Sequence, residues 1–169
     1  MNGEVQDFVE KCVAKYPMTG RVLEVGSRDI CGSARRWFTK DGQQKEPTER
    51  FPEYIGIDIV EGALVDVILN AHALVAEFGK DSFNVAISTS SLEHDDAFWV
   101  TMWQIRKVLK HSGYLILSVP SWKGCPPHCE HDYWRFMPEG VRLLLQDFEI
   151  LEFDDTTSIN DIMALARKP

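Results

Sequence analysis

The sequence of 169 residues predicts an α/β fold: one doubly wound, mainly parallel sheet that carries helices on both faces. Two observations predict this fold. Short apolar runs of the kind that form buried parallel strands alternate along the chain with segments of helical periodicity. The first apolar run, residues 22–25, is followed by Gly26 and then by a helical segment that begins at Ser33. Strand, turn and helix therefore succeed one another in the order that a wound sheet requires.

The chain opens with a predicted amphipathic helix within residues 1–17. This leading helix should end before Pro17, because the residue before a proline disfavours helical backbone angles. Its apolar residues recur at helical spacing and are Val5, Phe8, Val9, Cys12, Val13 and Tyr16. Further on, the polar residues 41–52 include Gly42 and two prolines, which predicts an exposed loop.

The remaining elements alternate along the chain. Further strands are predicted at residues 54–60, 65–69, 83–88, 114–119, 148–153 and 161–166. Helices are predicted at residues 33–38, at 71–78, after a cap at Asp95 or Asp96, and at 138–146. The third of these helices has an apolar stripe at Phe98, Met102, Ile105 and Leu109. Lys110, His111 and Gly113 predict that it ends in a basic turn with a glycine cap.

The turn after the first strand has the features of a ligand cradle. The unpaired N–H groups of a helix start point toward the carboxyl edge of the sheet at such a turn. Arg28 stands where a dinucleotide-binding turn has its second glycine, which lets the backbone approach a pyrophosphate. Glu24 would repel a phosphate but attract an amino group or a sulfonium. The turn therefore indicates a cationic nucleoside rather than NAD or FAD.

A second acidic residue supports this interpretation. Asp58 ends the second predicted strand, where a carboxylate can accept hydrogen bonds from both hydroxyls of a ribose. With these residues in place, the sequence resembles class I S-adenosylmethionine-dependent methyltransferases from Val22 to about Leu165. Six motifs in the family's order carry the resemblance: LEVGSRD at 23–29, GID at 56–58, VDVILNAH at 65–72, SLEH at 91–94, LKHSG at 109–113 and HDYWRFMP at 131–138.

The resemblance implies a Rossmann-like fold whose last strand is antiparallel. It also implies S-adenosyl-L-methionine as cofactor and S-adenosyl-L-homocysteine as product. Residues 1–169 would then form a single methyltransferase domain, with the leading helix over part of the cofactor pocket and an active-site loop at 120–137. Glu24 and Gly26 are expected to hold the methionine end of the cofactor, and Asp58 its ribose.

The adenine ring is expected to lie between Ile59 and Ala71. Asn70 stands where the family often has an aspartate that recognises the adenine amino group, and the asparagine side-chain oxygen can still accept a hydrogen bond from that group. The other predicted cofactor-binding residues are Ser27, Arg28, Gly32 and Ser88.

His94 and Arg135 are the candidate catalytic residues. Methyl transfer from a sulfonium is an in-line displacement with a good leaving group, so alignment supplies much of the acceleration. His94 fits three roles: a general base, an orienting group, or a structural histidine near the start of a helix. A base matters when the acceptor carries a proton that must leave, and a neutral imidazole suits that task. Arg135 would face an anionic group of the acceptor.

The segment 121–135 is predicted to be a lid over the acceptor. Its acceptor-binding candidates, together with Ser91 before it, are His131, Tyr133 and Trp134. The alternative is that Tyr133 and Trp134 pack the last helix onto the sheet. Metal-ligand residue types also occur in this segment, at Cys125, His128, Cys129 and His131. Two of them are adjacent, which strains a tetrahedral zinc site, so no metal is predicted.

Composition narrows the cellular context. A net charge of −8 disfavours nucleic acid and anionic membranes as partners. No apolar run approaches the ~20 residues of a membrane span, and the polar, acidic start is unlike a signal peptide. Four unevenly spaced cysteines favour reduced thiols and a cytoplasmic location. The expected partner is a small-molecule or otherwise unidentified acceptor, and the oligomeric state is left open.

The sequence therefore predicts an S-adenosylmethionine-dependent methyltransferase with an unidentified acceptor. A non-catalytic S-adenosylmethionine-binding or partner subunit is the alternative, because the chain has no inserted acceptor domain and no obligatory catalytic base. A nicotinamide-dependent oxidoreductase is disfavoured by Arg28 and Glu24.

Overall fold

Seven strands form one sheet in the order β3-β2-β1-β4-β5-β7-β6. The computed structural model describes residues 3–30, 32–40, 46–124, 131–156 and 160–169. The strands are β1 (Val22–Val25), β2 (Tyr54–Asp58), β3 (Val67–Ile68), β4 (Phe83–Thr89), β5 (Leu109–Pro120), β6 (Glu149–Asp154) and β7 (Asp161–Arg167). The α-helices are α1 (Gly3–Lys15), α2 (Leu74–Phe78), α3 (Phe98–Val108) and α4 (Pro138–Leu144), and short 3₁₀ helices lie at Ala34–Trp37, Ala71–Ala73 and Leu92–His94. None of the helices that the structure describes has the length and apolar character needed to cross a membrane.

The strand order reverses at β1, which pairs in parallel with β2 on one side and with β4 on the other. The β2–β3 and β4–β5 pairs are also parallel, whereas β7 runs antiparallel to both β5 and β6. The predicted doubly wound, mainly parallel sheet with an antiparallel last strand is confirmed. Ligands of such sheets bind beyond the carboxyl ends of the strands at the reversal, so this topology locates the site before any side chain is considered.

Helices cover both faces of the sheet, as predicted. On one face, α1 and the 3₁₀ helix at Ala34–Trp37 pack against the sheet, and the apolar positions of α1 from Val5 to Val13 are buried as their periodicity predicts. On the other face, α2, α3 and α4 enclose the larger apolar cluster. All four residues of β1 are buried, so the strand that leads into the site is held from both sides.

The end of α3 corrects a prediction. The sequence predicts a helix that continues through Lys110 to a cap at Gly113, but α3 ends at Val108 and β5 begins at the next residue. That residue, Leu109, is fully buried and pairs with Phe83, so its burial in the sheet outweighs continuation of the helix. Gly113 serves another purpose: a Cβ there would lie 2.9 Å from the carbonyl oxygen of Lys110. The predicted basic last turn with a glycine cap is therefore wrong.

Several elements are shorter than predicted. The helical segment at 33–38 is one 3₁₀ turn, which Ser33 caps by accepting a hydrogen bond at its Oγ from the N–H of Arg35 at 3.1 Å. The predicted helix at 71–78 is divided into a 3₁₀ turn and α2. The residue at the cap position of α3 is Ala97, and the Asp95 carboxylate accepts its N–H at 2.9 Å. The predicted cap at Asp95 or Asp96 is therefore wrong, because no described side chain caps α3 and Asp95 instead holds the residue at the cap position.

Candidate functional site

A pocket of about 790 Å³ opens at the carboxyl ends of β1, β2 and β4. Most of the predicted site residues line it: Glu24, Gly26, Ser27, Arg28, Gly32, Asp58, Ile59, Asn70, Ala71, Ser91, His94, His131 and Tyr133. Three predicted residues, Ser88, Trp134 and Arg135, are not among the described residues that line it. The topology thus gathers most of the predicted cofactor and acceptor residues around one space, while their roles in binding stay predictions.

Gly26 allows the turn after β1 to close tightly. Its φ is +77°, in the region that favours glycine, and its N–H and that of Ser27 both donate to the carbonyl oxygen of Ile57 at 2.9 Å. A Cβ on Gly26 would lie 2.5 Å from the Ser91 Oγ. Gly26 is therefore required both by the backbone conformation and by the close approach of the segment that follows β4.

Glu24 is buried and has well-defined partners. Its carboxylate accepts hydrogen bonds from the Ser33 Oγ at 3.0 and 3.1 Å and from the N–H of Ala34 at 3.3 Å. Burial raises the pKa of this carboxyl above its ordinary value, and the hydrogen bonds and the nearby Arg35 charge oppose that rise. Glu24 therefore ties the end of β1 to the start of the 3₁₀ helix, a structural task that the sequence did not predict.

Asp58 lies at the end of β2 with its carboxylate oriented by the backbone. Its Oδ1 accepts the N–H of Val60 at 3.0 Å, and its Oδ2 accepts the N–H of Arg28 at 3.3 Å. A carboxyl group has about four lone-pair positions, so acceptor capacity remains for two further donors. The two backbone donors preorganise Asp58 toward the pocket.

The next wall of the pocket is formed after β3. The Asn70 Oδ1 accepts the N–H of His72 at 2.8 Å and so caps the short helix that follows. The amide oxygen has a second lone pair, so this cap is compatible with the predicted recognition of adenine. Ile59 is 66% exposed and lies beside Ala71 among the lining residues, which leaves an apolar surface for a ring to cover.

The segment after β4 forms a further part of the pocket lining. Ser88 is fully buried, and its Oγ has no hydrogen-bond partner among the residues that the structure describes. Thr89, Ser90 and Ser91 line the pocket in its place. The His94 Nδ1 lies 3.0 Å from the carbonyl oxygen of His131, so this wall is tied to the start of the segment at 131–136.

Within that segment, Tyr133 and Trp134 have different surroundings. Tyr133 is half exposed, its hydroxyl lies 2.9 Å from the His131 Nδ1, and it lines the pocket. The Trp134 indole N–H donates to the carbonyl oxygen of Asp95 at 2.8 Å, and its ring packs edge-on against Phe98 with centroids 5.4 Å apart. Trp134 therefore packs against α3 rather than joining the last helix to the sheet, and the acceptor role of Tyr133 stays a prediction.

Arg135 is engaged by a neighbouring acid. Its Nη1 and Nη2 donate to the two carboxylate oxygens of Asp132 at 2.5 and 2.9 Å, and the Asp132 side chain is fully buried. The Arg135 guanidinium also donates to the carbonyl oxygen of Trp134 at 2.8 Å. The two-point geometry of this pair gives Arg135 a structural contact that the sequence did not predict, and its predicted catalytic role stays a prediction.

Glu93 is a lining residue that the sequence analysis did not single out. It is 3% exposed, and its Oε2 has no hydrogen-bond partner among the described residues. Burial raises the pKa of this carboxyl to about 7, and the charges of Asp132 and Asp161 add to the rise. A hydrogen bond from its own backbone N–H and the charge of Arg135 oppose it. The only sequence signal was its place in the SLEH motif beside His94.

One group of metal-ligand side chains occurs in the part of the chain that the structure describes. Ligand atoms of His72, Asp95 and Asp96 lie within 4.8 Å of one another. Asp95 is already occupied, because it lies 2.9 Å from the His72 Nε2 and accepts hydrogen bonds from the Ala97 N–H and the Thr101 hydroxyl. These contacts explain the group without a metal. Residues 125–130, which hold most of the other candidate ligands, lie outside the described residues.

Comparison of sequences identifies no relative: no protein-family model matches the chain, and neither does any curated protein. Comparison of structures does. A 1,6-didemethyltoxoflavin N1-methyltransferase from Burkholderia thailandensis, with 1,6-didemethyltoxoflavin and S-adenosylhomocysteine bound, is similar with a TM-score of 0.69 and 17% identity over 98% of this chain and 77% of its own. An S-adenosylmethionine-dependent methyltransferase from Archaeoglobus fulgidus gives a TM-score of 0.65 and 16% identity, over 98% of this chain and 93% of its own.

A third similar structure is named for another reaction. The [4+2]-cyclase SpnF has a TM-score of 0.73 and 17% identity over 98% of this chain and 80% of its own. At these identities the similarity shows the fold alone, and it confirms the predicted Rossmann-like fold. Because the same fold carries a cyclase, the reaction of this chain has to be argued from its own pocket.

Proposed function

We propose that this chain is an S-adenosylmethionine-dependent methyltransferase whose acceptor is a small molecule. The observation that supports it best is the composition of the pocket: the Gly26 turn, Asp58 and Asn70 follow β1 to β3 and form what we call the first wall, and Ser91, Glu93 and His94 follow β4 and form the second. The first wall suits a nucleoside and the second is rich in polar hydrogen-bonding groups. A volume of about 790 Å³ lies within the range typical of small-molecule sites, roughly 300–1,000 Å³.

The residues present fit the cofactor. Asp58 offers oriented lone pairs to a ribose, Ile59 and Ala71 offer apolar surface to an adenine, and the Gly26 turn lines the same pocket. S-adenosylmethionine, when bound, supplies a methyl group on a sulfonium sulfur. The chain's own contribution is to hold the acceptor in line with that methyl group and to exclude water from the space between them.

The proposal also covers the domain organisation of the chain, its cellular location and the class of its acceptor. A single methyltransferase domain, a cytoplasmic location and a small-molecule acceptor agree with one continuous sheet, a pocket of small-molecule size and a net charge of −8 that weighs against nucleic acid. A non-catalytic cofactor-binding subunit would need only the first wall of the pocket. A cyclase, such as SpnF with its similar fold, would need both walls. Measured turnover is what separates these alternatives.

Isothermal titration calorimetry tests the cofactor. We expect S-adenosylhomocysteine to bind and NAD not to bind, because Arg28 stands where a dinucleotide-binding turn has its second glycine and the Glu24 carboxylate would repel a pyrophosphate. Asp58→Ala removes the expected ribose contact, and loss of a charge-assisted hydrogen bond costs about 1.5–3 kcal/mol, so affinity should fall roughly tenfold or more. Glu61→Ala, an exposed acid after the same strand, is the control. Unchanged affinity in Asp58→Ala would remove this residue from the site, and NAD binding would favour an oxidoreductase.

A further inference from the structure

Glu93 sits in the wall of the pocket that follows β4, inside the 3₁₀ turn Leu92–His94. Its side chain is almost completely buried, and its Oε2 has no hydrogen-bond partner among the described residues. An isolated buried carboxylate is costly, and buried polar groups in native proteins are nearly always paired. A carboxyl group left in this condition at the wall of a pocket indicates a donor that arrives with a ligand.

The charged groups around Glu93 do not supply that donor. Asp132 and Asp161 face it with like charge. Arg135 faces it with opposite charge, but its two terminal nitrogens donate to Asp132. The His94 Nε2 lies 3.9 Å from the Glu93 Oε1, beyond hydrogen-bond distance. The surroundings therefore favour a carboxyl group that takes up a proton readily.

Glu93 is also held in position by its backbone. Its carbonyl oxygen accepts the N–H of Tyr133 at 2.7 Å, which joins this wall to the segment that carries His131 and Tyr133. Ser91, His94, His131 and Tyr133, which belong to these same two segments, also line the pocket. Under the proposed function these segments are the ones expected to hold the acceptor, so Glu93 would lie beside it.

We propose that Glu93 is the proton acceptor of the reaction and that the acceptor substrate is a small molecule methylated at an N–H or O–H group. This inference rests on the proposed function. The lone pair of the acceptor nitrogen or oxygen forms the bond to the methyl carbon, and the carbon–sulfur bond breaks with its electron pair on sulfur. The proton that the acceptor loses passes to the Glu93 carboxylate, which returns it to solvent after product release. His94 and Tyr133 then serve to orient the acceptor.

The raised pKa of Glu93 agrees with this role. A base works best when its pKa lies near the working pH, and an ordinary glutamate is too weak a base at pH 7 to accept a proton efficiently. Burial brings the pKa of Glu93 to about 7. At that pKa a large share of Glu93 is ionised at pH 7 and so is in the form that can accept a proton.

The first arm of the test observes the carboxyl group directly. Carbon-13 NMR of glutamate-labelled wild-type protein, alone and with S-adenosylhomocysteine, should show one signal with a pKa near 7 that is missing in Glu93→Gln and present in Glu77→Gln. Glu77 is exposed on α2 and serves as the matched control. Titration of Glu93 at the ordinary value of a glutamate would overturn the proposal. This arm needs no acceptor, so it stands even if calorimetry finds no S-adenosylhomocysteine binding and the proposed function fails.

The second arm follows turnover. S-adenosylhomocysteine release is measured for a set of small phenols, azoles and amines, with thiols and carbon nucleophiles as the contrasting set. We expect turnover in the first set only. Glu93→Gln should lower kcat at least a hundredfold and abolish its rise between pH 6 and 8, while Glu93→Asp restores part of it and S-adenosylhomocysteine affinity stays within twofold. Three results would each overturn the proposal. They are turnover confined to thiols or carbon nucleophiles, no turnover with any phenol, azole or amine, and an unchanged pH profile in Glu93→Gln. If Glu93→Gln does not fold, the wild-type titration and the pH profile of Glu93→Asp still decide.

Discussion

Two buried glutamates line the same pocket, and they differ in what surrounds them. Glu24 lies in β1, and its carboxylate accepts hydrogen bonds from the Ser33 hydroxyl and the Ala34 N–H. Glu93 follows β4, and its Oε2 has no partner among the described residues. Both are 2–3% exposed, and burial raises the pKa of both. Burial alone therefore does not distinguish a carboxyl group that builds the site from one that waits for a ligand, whereas the partners do.

The residues around the two carboxyl groups also differ. The partners of Glu24 begin the 3₁₀ helix after the Gly26 turn, so Glu24 shapes the wall expected to hold the cofactor. The surroundings of Glu93 are acids and a paired arginine, which leave it short of a donor. Changing Glu24 should accordingly weaken the fold, and changing Glu93 should strengthen it.

The largest effect is expected from Glu93→Gln on stability at alkaline pH. The pKa of Glu93 is about 7 in the folded chain against an ordinary value of 4.5, so the folded state binds more protons between these values and wild-type stability falls as pH rises through them. One pKa unit corresponds to about 1.4 kcal/mol, so ionisation removes about 3 kcal/mol of stability by pH 8. Glu93→Gln should remove this loss.

Urea unfolding at pH 5 and at pH 8 measures this effect. The difference in unfolding free energy between Glu93→Gln and wild type should grow with pH, because the comparison cancels the contributions of other groups, including Glu24. Glu77→Gln should show no such growth. A Glu93→Gln protein that is less stable than wild type at pH 8 would mean that this carboxyl group has structural partners like those of Glu24.

The opposite sign is expected for Glu24→Ala. This change removes the acceptor of the Ala34 N–H and of the Ser33 hydroxyl in a fully buried place, and hydrogen bonds to a charged group contribute about 1.5–3 kcal/mol. Relief of the buried charge offsets part of the loss, so we expect destabilisation by about 2 kcal/mol in urea unfolding at pH 7. Glu10→Ala, exposed on α1, is the control. A neutral effect of Glu24→Ala would contradict the structural role given to it here.

The sequence predicted the first wall of the pocket well because that wall is local. The strand at Val22–Val25, the glycine turn and the carboxylate of Asp58 are each readable within a few residues, and a parallel sheet brings its carboxyl ends together. The wall around Glu93 is set by distant contacts instead. The Glu93 carbonyl oxygen accepts the N–H of Tyr133, which lies 40 residues further on, so this part of the wall depends on the segment at 131–136.

The end of α3 was predicted wrongly for the same reason, because it too is set by contacts between distant parts of the chain. Helical periodicity and basic residues favoured a helix through Lys110, but the pairing of Leu109 with Phe83 is a tertiary choice that no local pattern reports. Ser88 illustrates the same limit in the site, since its position at the end of β4 was predicted but its burial away from the pocket was not.

The smallest effect is expected from Ser33→Ala, which tests whether the hydrogen bond between Ser33 and Glu24 stabilises the fold. The Ser33 Oγ donates to Glu24 and accepts the N–H of Arg35 as the cap of the 3₁₀ helix. Loss of such a cap costs about 1 kcal/mol. Urea unfolding of Ser33→Ala, Glu24→Ala and the double variant completes a double-mutant cycle. Because the Ser33 hydroxyl and the Glu24 carboxylate are partners, the double variant should lose less stability than the two single changes added together, by about 0.5 kcal/mol or more. The same cycle between Ser33 and Glu93 should give no coupling. Additive losses for Ser33 and Glu24 would show that Glu24 stands in the wall without supporting it, and the contrast between the two glutamates would then be lost.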